Sequence, residues 1–146
     1  MIAILSLCVA LLAVFFGPLV QLWIAKKQIK ANVLSANRQE WIHILREQIA
    51  EYSSSIFNVV HHLDNNTAKG KEWDDLLARI TFHETKIELL LNPTKPLQKK
   101  IIDLIAESPK HIKEHNTNEI NNYLKKIVDA SQILFQSVWQ RVKNIE

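Results

Sequence analysis

The chain contains very little glycine, proline or cysteine. It has 2 glycines, 4 prolines and 1 cysteine among 146 residues. So few glycines leave no room for the glycine-rich loops that hold phosphates in P-loop and dinucleotide-binding proteins. A single cysteine excludes an intrachain disulfide and is typical of a reducing compartment. The scarcity of glycine and proline, together with many Ile, Leu, Lys, Glu and Asn residues, favours an all-α chain.

Charge is absent from residues 2–25, which form one long apolar run. A helix rises about 1.5 Å per residue, so this run is long enough to cross a hydrocarbon layer of about 30 Å. We therefore predict a transmembrane anchor at residues 1–25 and a helical domain at residues 26–146. No basic residue precedes the run and no small-residue cleavage site follows it, which argues against a cleaved signal peptide. Gly17 and Pro18 predict a kink in the anchor.

The residues around the end of the apolar run indicate an orientation. Lys26, Lys27 and Lys30 follow the run directly, and Trp23 comes just before them. Lysines mark the cytoplasmic flank of a membrane helix, and tryptophan is enriched at the level of the lipid headgroups. We expect these four residues to flank a bilayer, with the C-terminal domain in the cytoplasm.

The rest of the chain shows the apolar spacing of amphipathic helices. One stripe runs from Leu34 to Leu63 without glycine or proline, so the anchor should continue into it as one helix. A second helix is predicted over residues 72–91. A third, capped by Asn92 or Thr94, should break or restart at Pro109, and a fourth should follow a capping box at residues 116–119. The predicted fold class is all-α, a transmembrane helix continuing into a cytoplasmic antiparallel helical bundle.

Large aromatic residues accompany these stripes. Trp41 and Trp139 lie on a stripe or at its edge, and Arg38 and Arg46 flank Trp41. Aromatic residues in such positions are expected in the core. The alternative is that they anchor an interface between protomers.

A basic cluster lies between residues 95 and 115. Lysines near helix N-termini can bind phosphate groups. We predict a ligand-binding surface here for a nucleotide or a partner protein in the cytoplasm, and the alternative is a solvated face. The net charge of +3 is a mild excess, and we expect no long nucleic acid as a partner. The predicted ligand-binding residues are Lys95, Lys99, Lys100, Lys110 and Lys113.

Catalytic and metal-binding patterns are weak. His111, Glu114 and His115 match H-x-x-E-H, the inverted zinc-protease pattern, but the helix there should be short and a third ligand must come from elsewhere. We prefer a polar connection that contains two histidines. No nucleophile stands in a recognisable catalytic pattern. We therefore predict a protein that is not an enzyme and has no catalytic residues, metal or cofactor.

Two further blocks accompany the apolar run, NRQEWIHILR at residues 37–46 and KIELLLNP at residues 86–93. In this arrangement the chain resembles small single-pass bacterial membrane proteins of uncharacterised function. That resemblance implies a place in the bacterial inner membrane and no particular activity. The architecture is also similar to that of membrane effectors of bacterial antiphage defence, in which a small cytoplasmic domain senses a signal.

These observations lead to two functional hypotheses. The first is an oligomeric membrane effector or sensor, in antiphage defence, whose helical domain binds a signal and changes the packing of the membrane helices. A lone helix cannot enclose a pore, so a homo-oligomer in contact with the lipid bilayer is expected. The alternative is a non-catalytic membrane tether or scaffold for a partner protein.

Overall fold

The computed structural model describes the backbone of residues 2–143 and the side chains of residues 16–143. All regular structure in these residues is helical, and none of them forms a strand. The composition predicts this result. The helices are α1 (Ile2–Asp64), α2 (Gly70–Leu90), α3 (Pro96–Lys113) and α4 (Thr117–Lys143).

The predicted transmembrane anchor is not supported. In the part of the chain that the structure describes, no helix has a segment both long and apolar enough to cross a membrane. Residues 16–25 are the portion of the apolar run whose side chains are described, about half the length that a span requires, and Lys26 follows them at once. The side chains of residues 1–15, the larger portion of that prediction, lie outside the described residues. The same finding corrects the prediction of a single-pass protein of the bacterial inner membrane with a cytoplasmic C-terminal domain.

Helix α1 is continuous over 63 residues, as the uninterrupted stripe predicts, and no break separates residues 25 and 26. Pro18 lies inside this helix. Among the described side chains of α1, the first buried one is Ile42. Residues 16–40 therefore extend beyond the core that the rest of α1 shares with the other helices.

The four helices form an antiparallel, up-and-down bundle. Helix α1 packs against α2 and α4, and α3 packs against α4 but has little contact with α2. The indole nitrogen of Trp41 donates a hydrogen bond of 2.8 Å to the carbonyl of Leu90, and Gln48 is hydrogen-bonded to His83 at 3.0 Å. Residue numbers thus rise along α1 as they fall along α2, which makes the two helices antiparallel. The connections from α2 to α3 and from α3 to α4 are also short, so consecutive helices there run in opposite directions as well.

The core consists of one face from each helix. These faces follow the apolar spacing of the sequence, so the predicted stripes are confirmed for residues 41–142. Leu34, at the start of the first predicted stripe, is exposed because it precedes the bundle. The largest side chains with almost no exposure are Leu45, Tyr52, Ile56, Val59, Ile87, Ile101, Ile105 and Ile127.

Helix α3 differs from its prediction at both ends. It begins after Lys95, which has no side-chain cap, while the side chain of Asn92 accepts a hydrogen bond of 2.9 Å from the backbone N–H of Thr94. The predicted break at Pro109 is wrong, since α3 passes through it to Lys113. Packing explains the continuation, because residues on both sides of the proline, Ile105 and Ile112, are buried on one face.

Candidate functional site

The five predicted binding lysines do not converge. All are exposed, and all belong to α3 or to the residue before it. Lys95 and Lys113 stand at opposite ends of this helix of 18 residues, which is about 27 Å long. Lys99 is paired with Asp103 at 2.9 Å. The phosphate-binding role of this cluster stays a prediction.

The four predicted membrane-flanking residues lie together on α1. Trp23, Lys26, Lys27 and Lys30 are all exposed, and the ammonium of Lys27 lies 5.5 Å from the centre of the Trp23 ring. This contact is local, between residues one helical turn apart.

The zinc pattern is not assembled into a site. Among the described residues, no group of three or more His, Cys, Asp or Glu side chains is placed to hold a metal ion. His111 stacks on the ring of Tyr123 at 4.3 Å, and its Nδ1 lies 3.6 Å from a carboxylate oxygen of Glu114. His115 comes after the end of α3 with a φ of 52° and is exposed. The three residues therefore do not share one helical face.

Two buried polar contacts join helices that are distant in sequence. Tyr52 and Ser108 share a hydrogen bond of 2.5 Å between α1 and α3. Gln48 and His83 are both buried, and their hydrogen bond joins α1 to α2. These pairs are each hydrogen-bonded across two helices, so they help to specify how the helices align.

A groove lies between α1 and α4. Its volume is about 820 Å³, and it opens on the outer surface of the bundle. Its lining includes three small side chains, Ala50, Ser53 and Ser131. The side chains that line it are Arg46, Ile49, Ala50 and Ser53 from α1 and Val128, Ser131, Gln132, Phe135, Gln136 and Trp139 from α4.

The polar groups of the groove are serine hydroxyls, glutamine amides, which can both donate and accept, a guanidinium and an indole N–H. The hydroxyls of Ser53 and Ser131 donate to the carbonyls of Ile49 and Ile127, both at 2.7 Å, so their protons are already used. Amides and a guanidinium from other lining residues remain as donors. Among the described residues, no carboxylate lines the groove.

Two cations stand near one end of the groove, each over an aromatic ring of α4. The guanidinium of Arg46 lies 4.9 Å from the ring centre of Phe135. The ammonium of Lys143 lies 5.6 Å from the ring centre of Trp139, a side chain that is 46% exposed. Neither cation has a carboxylate oxygen within 4.0 Å in the described part of the chain. This end is therefore electropositive and aromatic.

Sequence reasoning did not identify this groove. It placed Arg46 and Trp139 beside apolar stripes, but assigned Trp139 to the core or to an interface between protomers. A signal does exist, since Arg46, Ala50 and Ser53 recur at intervals of four and three and form a second face of α1. The spacing alone does not reveal that this face borders α4.

No protein-family model, curated protein or solved structure matches this chain.

Proposed function

We propose that this protein is a non-catalytic binding module that holds a small ligand in the groove between α1 and α4. The observation that carries the proposal is the groove itself, about 820 Å³ in volume, with polar groups set among apolar ones. Small-molecule sites have volumes of roughly 300–1,000 Å³ and combine an apolar lining with a few polar groups that orient the ligand.

The lining supports binding in two ways. Ile49, Val128 and Phe135 provide apolar surface whose removal from water favours association, by about 25 cal/mol for each Å². The free donors of Gln132 and Gln136 can select a ligand that has acceptor groups. The proposal keeps the predicted role of the helical domain as a sensor of a signal and moves the binding surface from the lysines of α3 to this groove.

Other predicted roles have less support. A scaffold for a partner protein would use exposed apolar side chains such as Phe82 and Leu89 on α2, and nothing in the described residues indicates what would cover them. Homo-oligomerisation likewise stays a prediction. The groove is the feature with the size and lining of a binding site.

The proposal can be tested with the fluorescent probe N-phenylnaphthylamine, which is neutral and apolar, and the full-length protein. Ala50 is exposed and lines the groove, so Ala50→Phe should occupy part of the site without disturbing the core. We expect this variant to bind the probe about tenfold more weakly than wild type, the effect of losing about 1.4 kcal/mol of apolar contact.

Ala106→Phe provides the matched control, because Ala106 is also exposed on a helix but lies outside the groove. Probe that binds to the exposed apolar side chains of residues 16–24 contributes equally to both variants. Circular dichroism verifies that both are folded. Equal affinity of the two variants for the probe would overturn the proposal.

A further inference from the structure

We infer that the ligand of the α1–α4 groove carries an anionic group on an apolar, ring-containing body, and that the anion is bound at the end formed by Arg46 and Trp139. This inference rests on the proposed function and adds the chemical class of the ligand. It identifies Arg46 as the residue that determines specificity.

The charge distribution of the groove is one-sided. Among the residues whose side chains the structure describes, Arg46 is the one charged residue in the lining, and the ammonium of Lys143 lies over the Trp139 ring at the same end. With no carboxylate in the described lining, the field at this end favours a negative group. A cationic ligand would be repelled there and would find no counter-ion.

The position of the Arg46 guanidinium suits an anion. Its contact with Phe135 uses the face of the ring and holds the charged group beside the groove. The N–H groups lie in the plane of the guanidinium and point outward from its edge, so stacking on a ring leaves them free to donate. A carboxylate, sulfonate or phosphate can accept two of these bonds side by side.

The remainder of the groove suits an apolar body. From Trp139 to Val128 the lining of α4 extends about 17 Å along the helix axis. Apolar side chains from both helices border this length, and the indole of Trp139 offers a half-exposed ring on which an aromatic group can stack. An anionic group near Arg46 therefore places the ring system of the ligand along Phe135 and Trp139.

A matched pair of probes tests the inference on the full-length protein. Anilinonaphthalene sulfonate has the ring system of N-phenylnaphthylamine with an added sulfonate. We expect wild type to bind the sulfonate about tenfold more tightly than the neutral probe, as a charge-assisted hydrogen bond predicts. Arg46→Gln should remove most of this preference, measured as the ratio of the two probe affinities in the same variant.

Two further variants test whether the preference for the sulfonate depends on the guanidinium of Arg46. Arg79 is exposed on α2 outside the groove, so Arg79→Gln should retain the full preference. Arg46→Lys keeps the charge but loses the planar fork, and it should recover only part of the preference. The preference of wild type should also decrease with added salt.

The failure of this inference is distinct from the failure of the proposed function. If Ala50→Phe weakens binding of both probes while Arg46→Gln leaves their ratio unchanged, the groove binds ligands but does not select anions. If Ala50→Phe has no effect on either probe, the groove is not the site, and both proposals are overturned.

Discussion

Tyr52 lies in an apolar stripe of α1, and in the folded protein it also forms a hydrogen bond to another helix. Its side chain is completely buried, and its hydroxyl bonds to Ser108, which lies 56 residues later in the chain. Burial raises the pKa of the Tyr52 phenol because the charged form would lose its solvation, while the hydrogen bond from Ser108 has a smaller, opposite effect. The sequence predicts that Tyr52 faces the core, but no local pattern identifies its partner.

Alkaline pH should therefore destabilise wild type more than Tyr52→Phe. The folded state keeps the phenol proton above the ordinary pKa of 10.0, where the unfolded state loses it. The free energy of unfolding then falls as the pH rises above that value, with a slope approaching about 1.4 kcal/mol per pH unit for one group. Urea unfolding at several alkaline pH values measures the slope for wild type and for Tyr52→Phe. Equal slopes for wild type and Tyr52→Phe would contradict this explanation.

At the scale of a helix, α3 shows tertiary packing overriding local preference. Ser108 and Pro109 resemble a helix boundary, yet the helix continues through them. A proline inside a helix costs about 3 kcal/mol relative to alanine, because it removes a hydrogen bond and its ring clashes with the preceding turn. Burial of Ile105 and Ile112 on either side offsets this cost. The unfavourable effect of Pro109 on the helix can be predicted from the local sequence. The packing that offsets it depends on the other helices and cannot.

Pro109→Ala should stabilise the protein. The new backbone N–H can donate to the carbonyl of Ile105 one turn earlier, so we expect a gain of about 1–3 kcal/mol in the free energy of unfolding. Pro96→Ala is the matched control, since Pro96 is at the first position of α3, where no such bond is lost. Thermal unfolding followed by circular dichroism measures both. A Pro109→Ala variant less stable than wild type would mean that the proline improves the packing of α3.

For the whole molecule, the order of the helices around the bundle decides where the candidate site lies. The apolar stripe of each helix can be predicted from the sequence of that helix alone. A groove forms only where two particular helices pack side by side. Arg46 and Phe135 meet because α1 neighbours α4, although they lie 89 positions apart in the chain. None of residues 16–40 of α1 is buried, because the other described helices do not pack against this part of α1.

The bundle should depend on its shared core and tolerate changes to exposed apolar side chains. Leu45 has 0% exposure, and Leu45→Ala should lower the free energy of unfolding by about 2–5 kcal/mol because it leaves a cavity. Leu89 is 82% exposed, and Leu89→Ala should change the free energy of unfolding by less than about 0.5 kcal/mol. Urea denaturation compares the two variants. Similar losses for both would indicate that Leu89 is covered in the protein in solution.

The sequence by itself determined the helical class, the buried faces of the helices and most of their ends, because periodicity, turn residues and caps act over a few residues. Only the tertiary structure decided that α3 continues through Pro109, that Tyr52 bonds to Ser108, and that Arg46 and Trp139 border one groove between α1 and α4. The physical reason is that these features depend on contacts between distant segments. Such contacts follow from how the helices pack together, and no local spacing encodes that arrangement.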